Sequence, residues 1–159
     1  PADNFLNVFA GMLKLAPVMP LPTPKARFQP VYVDDVAAAF EHALNDRDTF
    51  GKAYDLGGPT TYTLEELVRY VAQLLGLKRF VLGLPDSMSR LQGRILQHFP
   101  GKPYTYDNYL SSQVDNVCDN NGLASLGIDP TALEAVAPGY LGGQRSRDRY
   151  DEWRRNAGR

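Results

Sequence analysis

The sequence predicts a helix-rich α+β fold with a few short strands that do not close into a sheet. Three observations carry that expectation. Apolar residues recur at helical spacing in several separate segments. The strand-like stretches are short, aromatic or β-branched, and isolated from one another. Clusters of proline and glycine part the elements, as in "PVMPLPTPKA" and "PGKP".

In chain order, Asp3 is placed to cap a first helix, because its carboxylate can accept from the orphan N–H groups of the opening turn. Phe5, Leu6, Phe9, Leu13 and Ala16 then recur on one face until Pro17 stops the run. "PVMPLPTPKA" reads as an extended loop, too rich in proline for a helix or a central strand. "FQPVYV" reads as a short strand, which its proline confines to an edge or entry position. The following helix takes Asp35 as its cap, turns Val36, Phe40, Ala43 and Leu44 inward, and leaves Glu41 and Asp46 in water. Asp34 faces either solvent or the neighbouring loop. "GKAYDLGGP" reads as a second strand, closed by a Gly-Gly-Pro turn.

"TLEE", residues 63–66, is a capping box: the threonine hydroxyl meets the N–H three residues on, and Glu66 reaches back. Leu64, Leu67, Val68, Val71, Leu74 and Leu75 form the apolar face behind it, and Gly76 ends the helix. "KRFVLGLP" supplies a third strand. "DSMSRLQGRILQHF" and "YDNYLSSQVDNVC" read as two further helices, "GIDPTALEAVAP" as another with Pro130 at its start, and residues 140–159 as an Arg-rich tail helix.

Composition narrows the function. The 159 residues carry a net charge of −1, which argues against a general nucleic-acid surface. The tail is the exception: six arginines stand from residue 145 onward against Asp148, Asp151 and Glu152, a local +3. It suits either a solvated helix or a contact with a protein partner or an anionic membrane surface. One cysteine, Cys118, cannot form an internal disulfide, which fits a reducing cytoplasm, and no base stands near it in sequence. His42 and His98 are far apart, and no metal-ligand spacing appears. No run approaches the roughly 18 apolar residues of a membrane span. The chain opens on Pro1 and enters directly into "PADNFLNVF", as if its natural beginning lay upstream.

Catalytic constellations are absent from the pattern. Gly57 and Gly58 close a turn, and no Gly-rich strand-to-helix junction offers to cradle a pyrophosphate. Asp34 and Asp35 are adjacent, so at a helix start they point apart and not at one substrate atom. Glu65 and Glu66 complement a helix dipole. Tyr104, Tyr106 and Tyr109 suit helix packing, with a flat ligand as the alternative.

The order of the pieces carries a resemblance. "PVYVDDVAAAFEHAL" followed by "GKAYDLGGPTTYTLEELVRYVAQLLG" resembles the C-terminal half of the NAD-dependent epimerase/dehydratase family, the extended and atypical short-chain dehydrogenases. "PYTYDNYLSSQVDNVCDNNGLASLGIDPTALE" and "YLGGQRSRDRYDEWRR" are similar to bacterial sugar-nucleotide epimerase-related proteins, relatives of the NAD(P)H-binding accessory subunit of respiratory complex I.

The resemblance implies that residues 1–159 are a C-terminal, substrate-binding fragment whose N-terminal Rossmann half is absent and would bind NAD or NADP. It implies no catalytic residue here: no lysine stands four residues after Tyr109, and Arg154 stands where a lysine would follow Tyr150. It implies a nucleotide-sugar-like substrate, met by Asn4, Arg27 and Gln29 in the cleft between halves. The family's phosphate-binding arginine falls on Phe28, one residue from Arg27, and a one-residue slip in a strand reverses the face. The alternative it implies is a non-catalytic interaction module. The expected location is cytoplasmic, with attachment to the periphery of the inner membrane as the variant.

Overall fold

The element that the sequence marks most strongly also organises the structure. The computed structural model describes residues 4–98 and 104–142, so the expected Asp3 cap and nearly all of the Arg-rich tail lie outside the described residues. Helix α3 (Leu64–Leu74) starts at the capping box, with Thr63 and Glu66 bonded reciprocally. Its Leu67, Val68 and Val71 are wholly buried. Gly76 follows with a positive φ of 64°, a conformation that glycine adopts without a Cβ clash.

Around α3 the chain runs α1 (Asn4–Leu15), β1 (Val18–Leu21), β2 (Arg27–Phe28), α2 (Val33–Asn45) and β3 (Tyr62–Thr63) ahead of it. After it come β4 (Phe80–Gly83), α4 (Asp86–Leu96), α5 (Tyr106–Ser111), α6 (Gly122–Ser125) and α7 (Leu133–Ala137). The strands form two two-stranded sheets: β1 parallel to β4, and β2 antiparallel to β3. The result is the helix-rich α+β architecture that the periodicities predict, with no closed sheet.

The main core lies between α1, α3 and the β1–β4 pair. Leu6, Ala10 and Leu13 of α1 meet the buried face of α3, and Met19, Leu21 and Val81 close it from the sheet. The end of α7 and the chain after it return Ala137 and Leu141 to the same core. Arg79 donates from Nε to the Leu13 carbonyl at 2.7 Å, satisfying one of the orphan acceptors at the end of α1. Tyr62 donates to Glu134 at 2.6 Å; burial first, then that bond, push its hydroxyl up to about 12 and tie α7 to β3. A smaller cluster forms where Ala39 of α2 meets Leu123 and Leu126, with Tyr54 and Leu56 packed beside them.

Several expectations change on contact with the tertiary structure. The supposed loop 17–26 contains β1, whose Met19 and Leu21 alternate inward while Val18 and Pro20 stay exposed. A two-stranded sheet leaves one side of β1 unpaired, where a proline lacking its N–H costs no ladder bond. "FQPVYV" contributes only its first residue, Phe28, to a sheet, where it forms β2 with the preceding Arg27, and "GKAYDLGGP" pairs with no strand among the described residues. The helix after Tyr104 stops at Ser111, after which Asn116 bridges to Phe28.

The largest correction concerns α2. Tyr32, not Asp35, occupies its N-cap, and no side chain caps there. Asp35 is buried inside the first turn and accepts from Thr131 twice, from the backbone N at 2.7 Å and from Oγ1 at 2.9 Å. The helix expected to start at Pro130 also moves: α7 begins at Leu133, three residues later. Phe40 and Leu44, expected inward, are 67% and 79% exposed.

Candidate functional site

A cleft of about 410 Å³ opens between the turn 22–26, the first turn of α4, and residues 112–115. Its position follows from local chemistry. The turn lies across the start of α3, where the carbonyls of Pro24 and Ala26 accept from the Glu65 and Leu64 N–H groups. Ser89, wholly buried in α4, accepts from the Thr23 N–H at 3.1 Å and donates to the Pro85 carbonyl at 3.1 Å. These bonds hold Thr23 at φ 43°, a left-handed conformation uncommon for a β-branched residue.

One lining residue is incompletely satisfied: Thr23 Oγ1 is buried with no partner of hydrogen-bonding geometry among the described residues, and Gln92 Oε1 and the Tyr104 hydroxyl, which do not line the cleft, are in the same state. Burial raises the Tyr104 hydroxyl above the ordinary tyrosine range, and the nearby Thr23 and Ser112 side chains partly offset that. Asp86 receives the Tyr109 hydroxyl at 2.9 Å and the Gln113 amide at 3.4 Å. Burial, and then that carboxylate, push Tyr109 upward too. Tyr109 therefore serves packing, with its ring stacked on Tyr106 at 5.7 Å.

Of the three residues implied as substrate contacts, Arg27 stands at the edge of this cleft. Its Nε donates to Asp115 Oδ2 at 2.9 Å, and its backbone N donates to Oδ1 of the same carboxylate at 3.2 Å. The pair is half-exposed, and the two Nη groups of Arg27 have no partner among the described residues. Gln29 sits elsewhere. Its Nε2 donates to the Gly58 carbonyl at 2.7 Å, and its Oε1 accepts from the Cys118 N–H at 2.9 Å. Its amide is thus engaged inside the protein, clamping three segments together. Asn4 is the first residue of α1, next to Phe5, whose ring lies 5.4 Å from that of Phe28.

The glycine pair fills a gap and does not cradle a phosphate. A Cβ on Gly58 would stand 2.0 Å from the Pro30 carbonyl oxygen, and one on Gly57 would strike Gln29 and the Cys118 sulfur. Asn121 pairs with Gly57 as a strand neighbour would, its Nδ2 donating to the carbonyl at 2.6 Å and its Oδ1 accepting from the N–H at 3.3 Å. No space remains there for a pyrophosphate. Burial, then Asp55 and Asp119, raise the Cys118 thiol, which suits packing better than nucleophilic work. Among the described residues, no group of three or more His, Cys, Asp or Glu side chains is placed to hold a metal ion. No helix among them is long and apolar enough to cross a membrane.

The sequence pointed to Arg27 but missed the roles of Asp35, Ser89 and Asn121. Asn121 was findable, since Asn before a Gly-Leu pair is a helix-capping signal and it does cap α6. Ser89 carried no such signal, because Thr23, from whose N–H it accepts, is brought in from a turn 66 residues away.

Comparison with known proteins adds a relationship. The chain is 32% identical over 137 residues to NADH dehydrogenase (ubiquinone) 1 alpha subcomplex subunit 9, mitochondrial, of Rattus norvegicus, covering 83% of this chain and 36% of that protein. It is 28% identical over 128 residues to the mitochondrial NADH-ubiquinone oxidoreductase 40 kDa subunit of Neurospora crassa, covering 79% and 34%. The Arabidopsis thaliana alpha subcomplex subunit 9 is 40% identical over 75 residues, covering 46% and 19%. The chain spans about a third of the length of the rat and Neurospora relatives. No protein-family model matches it.

Proposed function

We propose that this chain is the C-terminal interaction half of a protein similar to the NADH dehydrogenase accessory subunit, and that it docks on a Rossmann half that binds NAD or NADP. The observation that supports this most directly is the outer face of α2. A helix of this length normally buries its large apolar residues, yet Val33, Phe40 and Leu44 stand exposed, with Phe50 exposed just beyond. Beside it, residues 53–56 have a strand-like sequence and donate no backbone hydrogen bond among the described residues. A helix face and a segment whose only backbone bond among the described residues is the Asp55 carbonyl accepting from the Gly122 N–H together suit the edge of another layer.

The test uses both halves. With the nucleotide-binding half co-expressed, Phe40→Asp combined with Leu44→Asp abolishes co-purification, while the unsubstituted chain is retained. Undiminished retention of the double variant would sink the reading. So would tight, stoichiometric binding of NAD(H) or NADP(H) to these 159 residues in calorimetry.

A second reading is favoured by the cleft: the substrate-binding part of an NAD(P)-dependent sugar-nucleotide epimerase/dehydratase-like enzyme. The unpaired Nη donors of Arg27 suit a diphosphate, onto whose oxygens a guanidinium forks. Asn4 is its other proposed contact; Gln29, proposed with it, would first have to release its bonds to Gly58 and Cys118. In the intact protein, Arg27→Ala then weakens binding of a nucleoside diphosphate sugar by tenfold or more, roughly the worth of one charge-assisted bond. Binding unaltered by this change rejects the second reading and leaves the first standing.

A further inference from the structure

Helix α4 is inside out. Its wholly buried side chain is Ser89, and its buried glycine is Gly93. Met88, Leu91 and Ile95 are exposed at 52%, 57% and 49%. Close approach is the cause: a Cβ on Gly93 would stand 3.0 Å from the Thr105 carbonyl oxygen and 3.2 Å from the Tyr106 Cα. The small residues at positions 89 and 93, one turn apart, let the α5 backbone come in, and that rotates the large apolar residues outward.

At about 100° per residue the three exposed apolar side chains fall within about 60° of arc. Arg94 lies next to that stripe on the same wheel and Arg90 follows it; both are exposed, and neither is in an ion pair among the described residues. The Arg94 guanidinium stands over the Tyr106 ring, 5.3 Å from its centroid, which holds its stem alongside the helix. An apolar stripe with arginines along one flank suits a helix lying in the plane of a membrane interface, with apolar residues in the acyl boundary and guanidinium groups at the phosphates.

We propose that α4 is an interfacial docking helix for an anionic bilayer surface. Met88, Leu91 and Ile95 insert, and Arg90 and Arg94 meet the headgroup phosphates. The charge pairing selects a lipid surface over a second copy of this chain, whose own stripe would bring arginine against arginine in a self-complementary contact. The surface is separate from the α2 face and independent of the function proposed above.

The experiment is vesicle flotation of the 159-residue chain with phosphatidylcholine alone and with added phosphatidylglycerol, at low and high salt. The expected result is binding to the anionic vesicles that weakens with salt. Leu91→Ser with Ile95→Ser lowers it about tenfold, from the lost insertion of two apolar side chains. Arg90→Gln with Arg94→Gln lowers it and flattens the salt dependence, while Leu44→Ser on α2 leaves it unchanged. Circular dichroism confirms that each variant retains the helical content of the unsubstituted chain. Three results overturn the proposal: no flotation with any vesicle; flotation indifferent to both α4 double variants; or flotation lost on removing residues 143–159 but kept in the α4 variants.

Discussion

Helices α2 and α3 look alike in sequence and live in different surroundings. Both are amphipathic, of 13 and 11 residues, and both open on two acidic residues in the first turn. Helix α3 buries five residues, four of them Leu or Val, whereas α2 buries only Asp35 and Ala39. An apolar face is thus a statement about what a helix can cover, and the partner that covers it comes from elsewhere in the fold. For α3 the partner is α1 with the β1–β4 pair. For α2 it is a small cluster on one side, and on the other the surface proposed above for docking.

The sharpest way to break the comparison is to truncate matched leucines. Leu67→Ala removes a wholly buried side chain from α3 and costs about 2–5 kcal/mol in urea unfolding. Leu44→Ala on α2 changes stability by at most about 0.5 kcal/mol. Equal losses would mean that the outer face of α2 is covered in the isolated chain.

Next in size is the segment packed beside α2. Gly58→Ala forces a Cβ against the Pro30 carbonyl and costs about 1–3 kcal/mol. Gly11→Ala, in α1 with nothing within 4 Å of the added carbon, stabilises by about 0.5–1 kcal/mol. Thermal unfolding of the two variants should shift in opposite directions.

The two acidic pairs give a comparable contrast. Asp35→Ala leaves the Thr131 N–H and hydroxyl without their acceptor and costs about 1–3 kcal/mol. Asp34→Ala, at an exposed position, should fall within about 0.5 kcal/mol of the unsubstituted chain. If the two variants unfold alike, Asp35 does not anchor the 128–132 segment to α2.

The smallest effect belongs to the cap of α3. Thr63→Ala costs about 1 kcal/mol at neutral pH. The bonds from the Thr63 backbone, then from its side chain, hold the Glu66 carboxyl below its ordinary range. A group depressed in the folded state adds stability above its unfolded pKa, and loses it as pH falls through the lowered folded value. The gap between Thr63→Ala and the unsubstituted chain therefore narrows in acid, below the usual glutamate range. A gap constant with pH would show that the carboxylate is not part of the cap.

The legible parts of this fold share one property, which is that their causes lie within a few residues of one another. Thr63 and Glu66 are three apart, and so are Thr105 and Asn108, whose reciprocal bonds in the structure repeat the same arrangement. The candidate site was legible only at Arg27, which a strand approach exposes. Gln29 was placed on the same stretch, but its amide is engaged by Gly58 and Cys118, partners 29 and 89 residues distant. Pro20 concealed β1 because proline argues against a ladder, and nothing local says that the strand will have a free edge.

By itself the sequence determined where α3 starts and stops and that the major helices carry apolar faces, because capping and 3.6-residue periodicity act over one or two turns. Only the tertiary structure decided which of those faces are covered. It joined Asp35 to Thr131 across 96 residues, turned α4 outward on Ser89 and Gly93, and paired β1 with β4. Each of these depends on two distant backbones coming close enough to exclude a side chain or share a hydrogen bond, and that closeness belongs to the packed chain.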